Sequence, residues 1–193
     1  MAITVVMEED LQNLIPREVF FTRGIGKHNE KLSSFELALR NAGIERYNLV
    51  SVSSILPPGC KIIGQKKGLS KLYPGQVVFT VMSKNSSNEP GRLLAAAIGC
   101  AIPEDSRFYG YLSEHFSFGQ REKVAGEYAE DLAAEMLAST LGIPFDIDSN
   151  YDEKREIFRI DGRIVKTNNI AQAAICDKHG KWTTVIAAAV FVL

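Results

Sequence analysis

Two adjacent serines, Ser53 and Ser54, stand in the run Asn48-Leu49-Val50-Ser51-Val52-Ser53-Ser54-Ile55-Leu56-Pro57-Pro58-Gly59. Val50 and Val52 are β-branched and suit a pleated, half-buried strand. Pro57 and Pro58 cannot donate to a ladder, so the strand is expected to stop near Ile55. The serines then sit where extended chain gives way to a constrained corner. A hydroxyl held against the carbonyl of the preceding residue can attack that carbonyl. The peptide becomes an ester, β-elimination leaves dehydroalanine, and hydrolysis leaves a pyruvoyl ketone on the new chain end. Such a reaction needs strain at the turn and donors for the developing oxyanion. Serines at a strand end also form ordinary turns through bonds to their own backbone, and the pair alone is compatible with either role.

Carboxylates are the next candidates. Arg107 to Phe118 reads as a long strand, with Phe108, Gly110, Leu112, Glu114, Phe116 and Phe118 on one face. Tyr109, Tyr111, Ser113, His115 and Ser117 share the other. Glu114 is thus a carboxylate on an apolar face, where burial disfavours the charged form and raises the pKa. A neutral carboxyl near working pH is what a proton donor needs; a place at the sheet end or a pairing with a cation are the alternatives. His115, on the polar face, is expected to be solvated. Glu36 follows Ser33 at capping-box spacing. Its carboxylate can serve the helix start or hold a substrate cation.

Other motifs argue against competing chemistries. Gly24-Ile25-Gly26 lacks the third glycine of the dinucleotide fingerprint and reads as a glycine turn. Cys60, Cys100 and Cys176 are odd in number, widely spaced and without a CxxC pair. That pattern suits buried free thiols rather than a disulfide framework or structural zinc. His28, His115 and His179 form no HxH or HExxH pattern, so no metal site is expected. A serine hydrolase is disfavoured, because there is no GxSxG elbow and no local motif supplies a histidine base.

The elements that must position these groups follow from periodicity and punctuation. Residues before Arg17 read as a poorly patterned arm. Glu18–Thr22 should be a strand. Ser33–Gly43 should be a helix with Phe35, Leu39 and Ala42 on one face and Gly43 closing its end. Cys60–Ile63 and Gln76–Ser83 read as strands, separated by a Tyr73-Pro74-Gly75 turn. Lys84–Gly91 reads as a polar loop and Leu93–Ala101 as an Ala-rich helix ending before Pro103. Gln120–Leu141 should be the longest helix. Its apolar repeat is Val124, Tyr128, Leu132, Met136 and Leu137, its solvated face carries Glu127, Glu130, Asp131 and Glu135, and Gly142 and Pro144 stop it. A hairpin turn is expected at Ile160-Asp161-Gly162-Arg163. Two final strands, Asn169–Cys176 and Trp182–Val192, should flank a turn at 177–181. This irregular alternation favours an α+β or layered α/β fold with mainly antiparallel sheets.

Composition bounds the rest. A chain of 193 residues with 46% hydrophobic content is expected to form one domain with a sizeable core. A net charge of −1 gives no electrostatic case for nucleic acid or an anionic membrane. No apolar run approaches the roughly 20 residues of a spanning helix. Met1 to Asp10 lacks a basic region and turns acidic, unlike a signal peptide, so the cytoplasm is the expected compartment.

The run Asn48 to Pro58 resembles the processing site of pyruvoyl-dependent arginine decarboxylases. Phe35 to Ile44, Glu89-Pro90-Gly91, Ala101 to Asp105, Gly110-Tyr111-Leu112-Ser113-Glu114 and the small-residue C-terminal strand agree with that family in order and spacing. The resemblance spans about Phe20 to Leu193. It implies a β-sandwich flanked by helices. It implies autocatalytic cutting between Ser53 and Ser54 into a β chain, 1–53, and an α chain, 54–193; the poor patterning of 1–16 reads separately as a flexible arm. The α chain would begin with a covalently bound pyruvoyl group made from Ser54, with neither metal nor pyridoxal phosphate. That ketone would condense with the α-amine of L-arginine and accept electrons as CO2 leaves, yielding agmatine. Glu114 falls at the family's catalytic glutamate and would protonate the α-carbon. Glu36 stands where the family places a carboxylate facing the guanidinium, and Ser53 would line the site. Asn48 matches an active-site position, yet six residues of straight strand span roughly 20 Å. Either the chain bends, or Asn48 serves a site at a boundary within the homotrimer that the resemblance implies, with a hexamer of paired trimers also open. Strand initiation is the plainer role for Asn48. A decarboxylase of another basic amino acid, and a non-cleaving trimeric binding protein of the same fold, are the competing readings.

Overall fold

The computed structural model of the protein describes residues 14–142 and 164–193. The turn expected at 160–163, Pro144 and most of the expected arm lie outside them. The strands are β1 (Glu18–His28), β2 (Asn48–Ser51), β3 (Ile55–Leu56), β4 (Lys61–Ile62), β5 (Val77–Ser87), β6 (Leu93–Pro103), β7 (Gly110–Phe118), β8 (Ile164–Ile175) and β9 (Trp182–Val192). The helices are α1 (Lys31–Ala42), α2 (Gln65–Leu69) and α3 (Glu122–Leu141).

The strands form a five-stranded sheet, β2-β5-β9-β1-β4, and a four-stranded sheet, β3-β7-β6-β8. Pairing is antiparallel except for β1 with β4 and β2 with β5. The fold is therefore α+β, a sandwich of two mainly antiparallel sheets flanked by helices, as the sequence implied. Val19, Val81, Ile98, Cys100, Leu112, Ala187, Ala189 and Phe191 fill the space between the sheets. Phe20, Ala38, Ala42, Ile186, Ala188 and Val190 join α1 to the outer face of the first sheet. The alternate residues of β9 thus face two different cores. A strand buried on both faces reads as a continuous apolar run, which is the pattern of Val185 to Val192.

The same double burial explains the largest correction. Leu93–Ala101, expected as a helix, is the interior strand β6, paired with β7 and β8. Leu94, Ala96, Ile98 and Cys100 point between the sheets, while Ala95, Ala97 and Ala101 point at α3. With both faces apolar there is no alternation to expose period two, and ladder formation overrides alanine's helix propensity. α3 buries its small side, Ala125, Gly126, Ala129, Ala133 and Ala134, with Leu137 and Ala138. Val124 and Tyr128, expected on the buried face, are exposed. Glu130, expected in solvent, is half-buried and accepts from Asn169 Nδ2 at 2.5 Å.

Gly24 and Gly26 form no turn. They lie within β1 beneath α1, where an added Cβ at Gly24 would come within 2.1 Å of the Ala38 carbonyl oxygen. Their missing side chains let helix and sheet backbones touch. β5 likewise continues to Ser87, shortening the expected polar loop. α1 begins at Lys31 with Glu30 as its N-cap, so Ser33 and Glu36 form no capping box; Gly43 does close it, in the left-handed region. Gly24→Ala is expected to destabilise the fold by about 2–4 kcal/mol, because backbone must move to admit the methyl. Denaturant titration of the variant against the parent measures this; an unchanged midpoint would mean that α1 does not sit on β1 as described.

Candidate active site

The paired serines lie where the chain passes from one sheet to the other. β2 is the edge strand of the first sheet, and its ladder on β5 extends as far as the Val52 N–H, which donates to the Thr80 carbonyl at 3.0 Å. Ile55 stands opposite Tyr111 in the second sheet. Only Ser53 and Ser54 lie between the two ladders, and the chain bends at Ser54. The strand expected to run to Ile55 therefore stops at Ser51, since Ile55 belongs to a different sheet. Beyond it, Pro57 accepts from the Cys60 N–H at 3.1 Å and Gly59 takes φ of 68°. A positive φ of this kind strains any residue with a Cβ, which suits glycine to the corner.

Ser54 is held on several sides. Its Oγ donates to Glu114 Oε2 at 2.9 Å. Its carbonyl accepts from the Leu112 N–H at 2.8 Å, and the Ser53 carbonyl accepts from the Ile55 N–H at 2.9 Å. Ser53 is exposed and Ser54 half-buried.

Glu114 reaches this point because β7 is fixed on both faces. Toward α3, Ser113 Oγ donates to the Ala129 carbonyl at 2.5 Å. From the first sheet, the buried Ser83 and Asn85 reach across, Ser83 Oγ to the His115 carbonyl at 2.6 Å and Asn85 Nδ2 to the Ser117 carbonyl at 2.8 Å. These bonds flank Glu114 and leave its side chain on the inter-sheet face, as the alternation requires. The expected burial is absent: Glu114, Phe116 and Phe118 lie at the open margin of the sandwich and are exposed within the single chain. His115 is not solvated. It is half-buried against Tyr128, with ring centroids 4.5 Å apart, and its Nε2 bonds Gln120 Oε1 at 2.8 Å.

The other candidates are not gathered here. Glu36 lies in the outer layer on α1 and pairs with Arg40, one turn along. Its carboxylate also holds the Arg40 guanidinium further toward its charged form, by a hydrogen bond and by direct attraction. Asn48 begins β2, at the opposite end from Ser54, and its Nδ2 donates to the Gly75 carbonyl at 2.7 Å. The two amides facing the serines, those of Ile55 and Leu112, escaped sequence reasoning. Only the register of β3 on β7 could have revealed them.

The family description "Pyruvoyl-dependent arginine decarboxylase" matches residues 18–193. A protein of Methanosarcina acetivorans named pyruvoyl-dependent arginine decarboxylase 2 is 56% identical over 179 residues, covering 93% of this chain and 98% of its own. A pyruvoyl-dependent arginine decarboxylase of Nitrosopumilus maritimus is 56% identical, covering 94% of this chain and 99% of its own. A probable member from Chloroherpeton thalassium is 57% identical, covering 91% and 97% respectively. The chain belongs to the pyruvoyl-dependent arginine decarboxylase family.

It is accordingly a carboxy-lyase that depends on a covalently bound pyruvoyl group. The residues at the junction between the sheets fit the making of such a group. A hydroxyl donates to a carboxylate that can take its proton, and the carbonyl before it already faces an N–H donor. Behind the corner, Leu56, Pro57, Cys60, Ile102, Pro103 and Phe108 line a cavity of about 170 Å³. Burial pushes the Cys60 thiol up to about 11 and the Cys100 thiol up to about 12. The thiolate is the reactive form, so both should be inert near neutral pH. A thiolate-selective reagent at about pH 8 is expected to leave Cys60 and Cys100 unmodified in the folded protein and to label both in denaturant. Rapid native labelling of Cys60 would show that the corner opens.

Proposed function

We propose that this protein cuts its own chain between Ser53 and Ser54, and that Ser54 becomes the pyruvoyl group with which it decarboxylates L-arginine to agmatine. The observation that carries this reading is the bond from Ser54 Oγ to Glu114 Oε2, 2.9 Å, at a bend tethered to two sheets. Glu114 accepts the hydroxyl proton and so raises the nucleophilicity of Ser54. The bound pyruvoyl group supplies an electron sink for the pair left behind as CO2 departs. Glu114, beside the same atom, is then the group that delivers a proton to the substrate's α-carbon.

The pieces 1–53 and 54–193 would stay together after cutting. β1, in the first, lies between β9 and β4, in the second, and pairs with β9 along its whole length from Glu18 to His28. The single chain leaves Glu114 exposed, with Phe116 and Phe118 exposed further along β7 and Val50 exposed on β2. The reading includes a homotrimer, with hexamers as its pairing, in which a neighbouring copy would cover these side chains, exclude water, and bring its own Glu36 and Asn48 toward Ser54. In that arrangement Glu36 meets the substrate guanidinium, Asn48 orients the substrate, and Ser53, as a new chain terminus, lines the pocket. We propose the cytoplasm as its compartment; among the described residues no helix is long and apolar enough to cross a membrane.

Intact-mass measurement is expected to show two fragments whose boundary falls at 53/54, the larger without a free amino terminus and reducible by borohydride. Ser54→Ala should remain whole; a variant still split at that bond would remove Ser54 from the mechanism. Glu114→Gln is expected to slow the cutting at 53/54 about 100-fold or more, and the fraction that does cut is expected to form agmatine about 100-fold or more slowly per pyruvoyl end. A rate within twofold of the parent would take Glu114 out of the proton transfer.

A further inference from the structure

We propose that the backbone N–H of Ile55 is the oxyanion donor of the self-cleavage reaction. The inference rests on the cleavage reading above and adds to it a group that no side chain identifies. Attack on the Ser53 carbonyl carbon moves an electron pair onto the Ser53 oxygen. Fixed donors aimed at that oxygen lower the barrier most when they need no rearrangement as charge develops. The Ile55 N–H already lies 2.9 Å from it. The bond closes a three-residue turn with Ser54 at its centre, so nucleophile, attacked carbonyl and donor belong to consecutive residues.

The turn is held so that this bond persists. Ile55 is paired with Tyr111, yet its N–H turns back to Ser53, while the Ser54 carbonyl takes the bond from Leu112 at 2.8 Å. Alternate residues of an antiparallel pair differ in this way. Upstream, Val52 is tied to Thr80 of the first sheet. The junction is thus anchored to a different sheet on each side, and relaxing the turn would require breaking one of the two ladders.

The steps balance. The Glu114 carboxylate takes the proton from Ser54 Oγ, Oγ bonds to the Ser53 carbonyl carbon, and the carbonyl pair becomes an oxyanion against the Ile55 N–H. Collapse breaks the bond from that carbon to the Ser54 nitrogen, which receives the proton from Glu114, leaving an ester and a free amine. In the elimination that follows, the Ser54 Cα proton passes to the Glu114 carboxylate, the Cβ–Oγ bond breaks, and its pair leaves on the Ser53 carboxylate. Negative charge builds on the Ser53 carboxyl group in both stages, so one donor serves both.

The test replaces the Ile55 amide by an ester, through an α-hydroxy analogue of isoleucine at position 55. Side chain and shape are kept; the N–H is lost, and the Ser54 carbonyl, now an ester's, still faces the Leu112 N–H as a weaker acceptor. Cutting at 53/54, followed by intact mass from first synthesis, is expected to slow about 100-fold or more, whereas Ile55→Val, which keeps the N–H, should cut at the parental rate. An ester variant that cuts as fast as the parent overturns the inference alone; a parent that stays whole overturns the cleavage reading with it. If the ester variant does not fold, hydrogen exchange in the uncut Ser54→Ala protein decides. A protected Ile55 amide supports the donor, and one exchanging at the rate of an open loop overturns it.

Discussion

The site depends on a single constraint: the chain crosses from one sheet to the other in two residues. Val52 is bonded to β5 and Ile55 is paired with β7, so Ser53 and Ser54 have no ladder of their own to relax into. A serine in an open loop would sample many geometries, and its attack on its own backbone would be rare. Here the turn is over-determined from outside, by backbone bonds to two sheets whose spacing is set by the core between them. That core consists of fully buried side chains such as Val19, Val81, Ile98 and Leu112, and close-packed interiors resist small displacements.

The rest of the fold supports that constraint at its two ends. β5 receives β2 on one edge and β9 on the other, which fixes the upstream anchor. β7 is fixed from below by β6 and α3 and from across the sandwich by Ser83 and Asn85. The many alanines and glycines follow from the same requirement. Four layers stacked on strands buried on both faces leave little depth for side chains. At Gly24 and Gly99 there is room for none, because a helix carbonyl lies within 2.1 Å and 2.0 Å of where a Cβ would be. A fold this thin between layers places backbone near backbone, and it delivers Glu114 to Ser54 by register rather than by a long flexible side chain.

What the sequence disclosed follows the same physics. Local punctuation was legible: the Pro57-Pro58 corner, the closing Gly43 and Gly142, and the turn at Gly75. Period-two alternation assigned Glu114 to the correct face of β7, because one side of that strand is polar. Alternation could not reveal that the apolar side runs out past the core, so Glu114 was expected to be buried and is exposed. It failed for β6, where both faces are apolar, and for Gly24 and Gly26, where the reason for glycine is a helix carbonyl distant in sequence. Ser33 and Glu36 have the spacing of a capping box, but the helix starts two residues earlier, at Lys31, and local spacing alone does not reveal that. The break between β2 and β3 was hidden because strand propensity says nothing about which sheet a strand joins. Backbone donors were hidden entirely, since every residue except proline carries one.

The location of the junction also reconciles two demands that would otherwise conflict. A peptide bond that is to be cut is a liability in a core, where its loss would open the structure. This one lies at the sandwich margin, after a four-residue edge strand and before a two-residue one. Much of what binds residues before it to residues after it is made away from the junction, above all by β1 lying between β9 and β4 and by α1 packed on β9. Cutting there would release the turn while leaving both cores filled. The tethering of the turn at both ends and the independence of the fold from it therefore have one origin, a short bridge between two sheets that are already joined through their interior.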